Sequence, residues 1–253
     1  MKNIDKWQPS KFVYKNERLI ASRDTAEVGL GSRLAADLVA RAYGLHLRNH
    51  ARGRLLDLGC GKAPLYHVYR DSIVENICVD WKNTSHKNDY LDLEADLTKH
   101  LPFDDGEFDT ILLSDVLEHI PEPELLWCEM ARVLSINGKI IMNVPFCYWL
   151  HEQPYDYYRY TEHALRRFAA RSGMSVVMLC SIGGAPEIIA DVFAKNLLRA
   201  GRTGRAASLF VQWATFKIID TKLGKKISDA TKDSFPLGYF LVAQKRAPGD
   251  PAI

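Results

Sequence analysis

Three acids and two glycines stand where this chain could hold a nucleoside. In LLDLGCGKAP, Asp57 closes an apolar run, Gly59 and Gly61 permit a tight turn with close backbone approach, and Pro64 suits the first turn of a helix. Cys60 sits inside that bend. Asp80 ends the next apolar run, CVDW, where a carboxylate can accept both hydroxyls of a ribose, and Trp81 follows it. Asp96, in EADL, comes after a third strand position and can take an adenine amino group while Leu97 offers its backbone. Each residue alone could merely cap a turn, but together at this spacing they point to a bound nucleoside. A dinucleotide fingerprint would need a third glycine where Pro64 stands, so a pyrophosphate is not specified.

Such residues need rigid elements beneath them. RLLDLG (54–59), NICVD (76–80), FDTILLS (108–114) and GKIIMNV (138–144) are short β-rich runs separated by helix-like stretches, which predicts a parallel α/β sheet with helices on both faces. Ligands of such sheets lie beyond the carboxyl ends of the strands, where strand order reverses. SRLAADLVARAYGLHL predicts a helix from about 30 to 47, with Ser32 as cap and Gly44 near its end. EPELLWCEMARVLSING predicts a helix that stops at Asn137–Gly138, with Gly138 in the left-handed cap. Thr161 should cap EHALRRFAARSG, which stops at Gly173. SVVMLCS (175–181) and GYFLVAQK (238–245) supply two late strands, the second as part of a final edge hairpin. No linker rich in Gly, Ser or Pro divides the chain. One domain is therefore expected over 1–253: an N-terminal helical segment (1–50), a core (51–182), a helical insertion (183–236) and a final strand (237–246).

LDLGCG, Asp80, the pair Asp96-Leu97, LPFDDGEFDTILLSDVLEHI and RVLSINGKIIMNVP together resemble the class I methyltransferases, continuously over about residues 50–182 and again near 240. The resemblance implies a doubly wound, Rossmann-like sheet of seven strands whose last strand runs antiparallel. It also implies S-adenosylmethionine as cofactor, held by Asp57, Gly59, Cys60, Gly61, Asp80, Trp81, Asp96, Leu97 and Ser114. Ala63 stands where many members carry a third glycine.

Methyl transfer asks chiefly for alignment of donor and acceptor, with a base where the acceptor is a hydroxyl. Ser114 and Asp115, at the end of the fourth strand run, should lie beside the transferable methyl, with His119 one turn further on. His119 is the first candidate base, and Asp115 and His151 complete the catalytic candidates; alternatively Glu118 and His119 brace the next helix. The stretch FCYWLHEQPYDYYRYTEHA (146–164) crowds aromatic rings over the site, interleaved with His151, Glu152, Asp156 and Arg159. Tyr148, Tyr157, Tyr158 and Arg159 are the acceptor-binding candidates, unless the tyrosines pack the loop onto the core and Asp156 pairs with Arg159. PFxYxxHExPYDYxRYT resembles a subset of these enzymes associated with bacterial surface polysaccharide or glycolipid assembly. HEQPY lacks the second histidine of HExxH and contains Pro154, so no metal is expected.

Composition is that of an ordinary globular protein, 47% hydrophobic and 25% charged, with a net charge of only +2. The start of the sequence lacks the apolar core of a signal peptide, and the five cysteines show no CxxC spacing, so a reducing cytoplasm is the expected location. Residues 195–226 carry eight Lys or Arg against Asp220 alone, a local +7 beside −5 for the remainder. There EIIADVFAKNLLRA reads as an amphipathic helix, GRTGR as a turn, and AASLFVQWATFKII as an apolar helix too short to span a bilayer. A lid, a homodimer surface and a peripheral membrane contact through 185–226 are the competing readings. A saccharide or glycolipid acceptor is expected and nucleic acid is not. The rival acceptors are a quinone, a phenol or another small metabolite. From other classes, the rivals are an NAD-dependent oxidoreductase and a module that binds cofactor without catalysis.

Overall fold

The computed structural model describes residues 1–82 and 89–247. Its amino-terminal segment departs from the helical expectation. β1 (Phe12–Lys15) and β2 (Arg18–Ala21) form an antiparallel hairpin. Asn16 and Glu17 both take positive φ, 48° and 62°, which gives the two-residue turn the twist that a hairpin needs. The predicted helix follows as α1 (Arg33–His50), ending three residues later than expected, with Gly44 inside it. Ser32 makes no side-chain cap; its hydroxyl accepts from Tyr148 Oη at 2.7 Å instead.

The main sheet is built from β3 (Gly53–Leu58), β4 (Ile73–Asp80), β5 (Leu93–Glu94), β6 (Phe108–Ser114), β7 (Leu134–Pro145), β8 (Met174–Ile182) and β9 (Gly238–Lys245). Its order is β5-β4-β3-β6-β7-β9-β8, with only β9 antiparallel to its neighbours. This is the class I methyltransferase fold. The late pair is not a simple edge hairpin, because β9 slots between β7 and β8 and leaves β8 outermost. Strand order reverses between β3 and β6, so a crevice opens at their carboxyl ends.

Alternation along the strands makes two cores. Leu56, Leu58, Ile111, Leu113, Ile140 and Met142 face one side, against Trp127, Met130 and Leu165. Those last three belong to α3 (Pro123–Val133) and α4 (Glu162–Arg171). Leu55, Leu112, Ile141, Phe240 and Val242 face the other side, with Tyr43 and Leu47 of α1 and Tyr69 of the short α2 (Tyr66–Tyr69). Burial on both faces explains why these strands read as nearly continuous apolar runs.

α3 ends four residues before the expected stop. Leu134 pairs with Phe108, so the residues after Val133 join the sheet, and positive φ falls on Asn137 (65°), not on Gly138. A Cβ at Gly138 would meet Ser135 O at 2.8 Å, a contact that explains the glycine by space. Thr161 caps α4 as predicted, accepting from Ala164 N at 3.2 Å.

The insertion consists of α5 (Ala185–Leu197), α6 (Gly201–Ile219) and α7 (Lys222–Thr231). The break falls at 198–201, and the expected GRTGR turn is the first turn of α6. Gln212 anchors α6 to α1, accepting from Leu34 N at 2.9 Å and donating to Leu30 O at 2.8 Å. Lys195 does not contribute to a basic surface, being buried and paired with Asp191. Among the described residues no helix is long and apolar enough to cross a membrane.

Candidate active site

The turn after β3 is fixed by its backbone. Gly59 has φ +68° and Gly61 +49°, and a Cβ on Gly59 would come within 2.5 Å of Val116 Cγ2. Ala63, at the position of the missing third glycine, also takes positive φ (47°), with its methyl fully buried. Asp80 at the end of β4 holds this turn, accepting from Gly61 N at 2.9 Å and Trp81 N at 2.8 Å. A carboxylate oriented by two backbone donors is pre-set for a ligand.

A cavity of about 370 Å³ opens over this turn. Gly59, Cys60, Gly61, Asp80, Trp81, Asp96, Leu97, Ser114, Asp115, His119 and Tyr157 line it. Asp57 does not. It lies beneath the turn, 4% exposed, accepting from Tyr69 Oη at 3.2 Å. Burial pushes its carboxyl up to about 7, the nearby Asp80 charge adding to the shift and the Tyr69 hydrogen bond opposing it. Asp96 accepts from Thr98 N at 3.0 Å and Thr98 Oγ1 at 2.7 Å through the same oxygen, and these bonds hold its carboxyl below the usual range.

A second cavity of about 250 Å³ adjoins the first. Lys11, Glu27, Asp115 and Glu152 line both. Glu118, Asn143, Tyr148 and His151 line the second alone, beside apolar Val28, Val39, Ile182 and Leu237. Asp115 stands at the junction with φ 54°. It accepts from Lys11 Nζ at 2.6 Å and from Asn143 Nδ2. Asn143 Oδ1 in turn accepts from Tyr43 Oη at 2.7 Å and Ser114 Oγ at 3.0 Å. Enclosure works against the charge on Lys11, but the Asp115 carboxylate outweighs it and raises the ammonium above its ordinary value.

The tyrosine-rich loop is clamped to the 117–121 turn. Tyr157 N and Tyr158 N donate to Glu118 O at 2.9 and 3.2 Å, Tyr158 Oη to Pro121 O at 2.9 Å, and Tyr160 Oη to Leu117 O at 2.9 Å. Arg159 grips Asp156 through two hydrogen bonds of 2.6 and 2.7 Å. Against the cost of burial, that grip holds the Asp156 carboxyl at about 2. Tyr158 and Arg159 therefore line neither cavity and act as loop braces, while Tyr148 faces the second cavity and Tyr157 the first. His119 and His151 come together, ring centroids 4.8 Å apart.

No sequence pattern marks Lys11, Glu27 or Asn143. The first two arrive on the amino-terminal segment, which Lys62 ties to the glycine turn through Glu27 at 2.6 Å. Trp7 Nε1 adds a bond to Ala63 O at 3.1 Å. The signal present was the Asn16-Glu17 turn between alternating residues, weak because glycine is the usual second residue there.

Residues 56–142 match the family model described as a methyltransferase domain. An uncharacterized methyltransferase of Mycobacterium leprae is 31% identical over 156 residues, 55% of this chain and 57% of the relative. An uncharacterized protein of Methanocaldococcus jannaschii is 28% identical over 157 residues, 55% of this chain and 58% of the relative. The chain thus spans little more than half the length of these curated relatives. Among solved structures, a SAM dependent methyltransferase from Archaeoglobus fulgidus superposes with a TM-score of 0.54 at 16% identity, covering 81% of this chain and 92% of that one. The cyclase SpnF superposes with a TM-score of 0.50 at 18% identity, covering 94% and 87%. A cyclase on the same fold means that the reaction must be argued from the site.

Proposed function

We propose that this chain, which carries a class I S-adenosylmethionine-dependent methyltransferase domain, methylates an oxygen of a saccharide or glycolipid acceptor bound in the second cavity. One observation carries the reading: a cavity with nucleoside-binding groups and a cavity rich in hydroxyl partners share the wall residue Asp115. The residues present fit the cofactor. A fixed carboxylate, Asp80, stands beside a glycine turn, and Leu97, Val116 and Ile120 give the same cavity an apolar lining. Asp80 would hold the ribose hydroxyls. The adenine would lie toward Leu97 and Asp96, whose Oδ2 also faces Lys99 Nζ at 3.4 Å. S-adenosylmethionine supplies a methyl group already activated by its bond to a positively charged sulfur.

What remains for the chain is alignment and proton removal, the first worth up to about 7–11 kcal/mol and the second about 10²–10⁴-fold in rate in favourable cases. Asn143, whose Oδ1 accepts from both Tyr43 and Ser114, sets the Asp115 carboxylate at the junction through its Nδ2. Tyr148 and His151 offer polar groups, and Val28, Val39 and Ile182 offer an apolar face, a mixture that suits a sugar. Calorimetry with S-adenosylhomocysteine tests the donor cavity. Product mass spectrometry with an isotopically labelled methyl donor and cell extract tests the acceptor, and label recovered only on nitrogen or carbon would overturn the oxygen reading.

We further propose that the insertion rests on an anionic lipid surface. None of the residues lining either cavity comes from α5, α6 or α7, although Lys195 of α5 sets its Nζ 3.7 Å over the ring of Tyr148, which lines the second. Phe210 and Trp213 are 64% and 59% exposed on α6, their rings 5.9 Å apart, with exposed Arg202, Arg205 and Lys217 on the same helix. Exposed aromatics beside basic residues match an interfacial helix. Co-flotation with anionic but not neutral liposomes is expected; a stable dimer without lipid binding would overturn it.

A further inference from the structure

One buried side chain lacks the partners its chemistry demands. Glu118 is fully buried, and among the described residues neither of its carboxylate oxygens has a hydrogen-bond partner. A buried polar atom without a partner costs stability, so an orphaned carboxylate calls for an explanation. Two imidazoles face it. His119 Nε2 lies 3.8 Å and His151 Nε2 3.7 Å from Glu118 Oε1, and His119 Nε2 is itself buried without a hydrogen bond.

The outer ring nitrogens are already committed to acceptors. His119 Nδ1 lies 3.0 Å from the Tyr155 carbonyl oxygen, which can only accept, so the ring proton belongs on Nδ1 and Nε2 presents a lone pair. His151 Nδ1 lies 3.3 Å from Asp156 Oδ2, in the carboxylate that Arg159 fixes. Its proton belongs there too, again turning the Nε2 lone pair inward. A carboxylate or carbonyl behind an imidazole is the arrangement that orients histidine ligands on metals. Three possible ligand atoms thus converge, all within 4.8 Å of one another.

We infer that Glu118, His119 and His151 form a binding site for a divalent transition-metal ion, set in the wall between the two cavities. Ligands around a tetrahedral ion with bonds of about 2.0–2.2 Å stand about 3.3–3.6 Å apart. The two imidazole–carboxylate separations are therefore within a few tenths of an ångström of closing. Two histidines and one carboxylate leave open positions, as in catalytic zinc sites. His119 borders the donor cavity, and Glu118 and His151 border the acceptor cavity. A hydroxyl held at the open position would release its proton more readily, to the shared Asp115 carboxylate. This role rests on the oxygen-methylation reading, with His119 serving as ligand in place of base. The lack of HExxH misleads here because the second histidine comes from the turn after β6, not from the same segment.

The test uses the full chain, stripped with a chelator and titrated with Zn²⁺ by calorimetry, with Co²⁺ as the spectroscopic probe. One Zn²⁺ per chain is expected, with a Co²⁺ ligand-field band in the visible. Asp156→Asn, which keeps all three ligands, should weaken Zn²⁺ about 10–100-fold, and His151→Ala should abolish the band. S-adenosylhomocysteine affinity and melting temperature, measured on the same samples, report whether each variant is folded. Zn²⁺ affinity unchanged in the His119→Ala/His151→Ala double variant, or no stoichiometric binding by folded wild type, would overturn the metal site. Failure of the folded, metal-replete wild type to bind S-adenosylhomocysteine would instead count against the methyltransferase reading.

Discussion

Gly59 shows what a single position contributes. Its φ of +68° lies in the region where a side chain costs about 1–2 kcal/mol, and Val116 occupies the space a methyl would need. Gly59→Ala should therefore melt lower and bind S-adenosylhomocysteine at least about tenfold more weakly, the equivalent of about 1.4 kcal/mol, by calorimetry. Asp57 gives a second expectation. With a folded-state value of about 7 against an ordinary 3.8, its folded form keeps a proton that the unfolded chain releases. Its contribution to stability is whole below about pH 4 and is lost as pH rises through about 7, an effect on the order of a few kcal/mol. Urea denaturation of Asp57→Asn from pH 4 to 8 should show a flatter profile than wild type, with the variant the more stable at pH 8; parallel profiles would refute this. The glycines and Asp80 were legible in the sequence because local chain geometry dictates them. Asp57 lines neither cavity, because position at a strand end does not say whether a side chain points into the crevice or under it.

Among the elements, the hairpin segment carries the greatest functional consequence. It brings Lys11 to Asp115 across 104 positions of sequence. Lys11→Met should let the Asp115 carboxylate move by a fraction of an ångström or more, with turnover falling by up to about 100-fold. Its melting temperature should stay close to wild type, because a partly exposed pair contributes only about 0–1 kcal/mol. Steady-state kinetics and a thermal melt on one preparation check both parts. Central strands were legible because burial on both faces forces apolar runs. The end of α3 was not, because pairing of Leu134 with Phe108 claims residues that helical periodicity would also accept. The loop braces escaped for a related reason: PYDYYRY announces aromatic content, but only contacts with Leu117, Glu118 and Pro121 decide which rings face a cavity.

At the scale of the molecule, the exposed aromatic face of α6 lies apart from both cavities. Phe210→Glu/Trp213→Glu should abolish flotation with anionic liposomes while leaving S-adenosylhomocysteine affinity within about twofold, since both side chains are exposed and neither lines a cavity. An altered affinity would mean that the exposed face of α6 acts on the cavities through its anchors on the core, Gln212 and Ile219. Sheet order has a different consequence, for how the protein is made. β7 and β8 never touch as a pair; each bonds to β9, whose residues are among the last of the described chain. While a ribosome is still adding α7, the two strands therefore flank an empty slot, each with a row of backbone groups awaiting a partner. Any extended segment that reaches the slot first competes with Gly238–Lys245 for it. Strand exchange between crowded nascent chains is therefore expected to fall once Gly238–Lys245 has emerged.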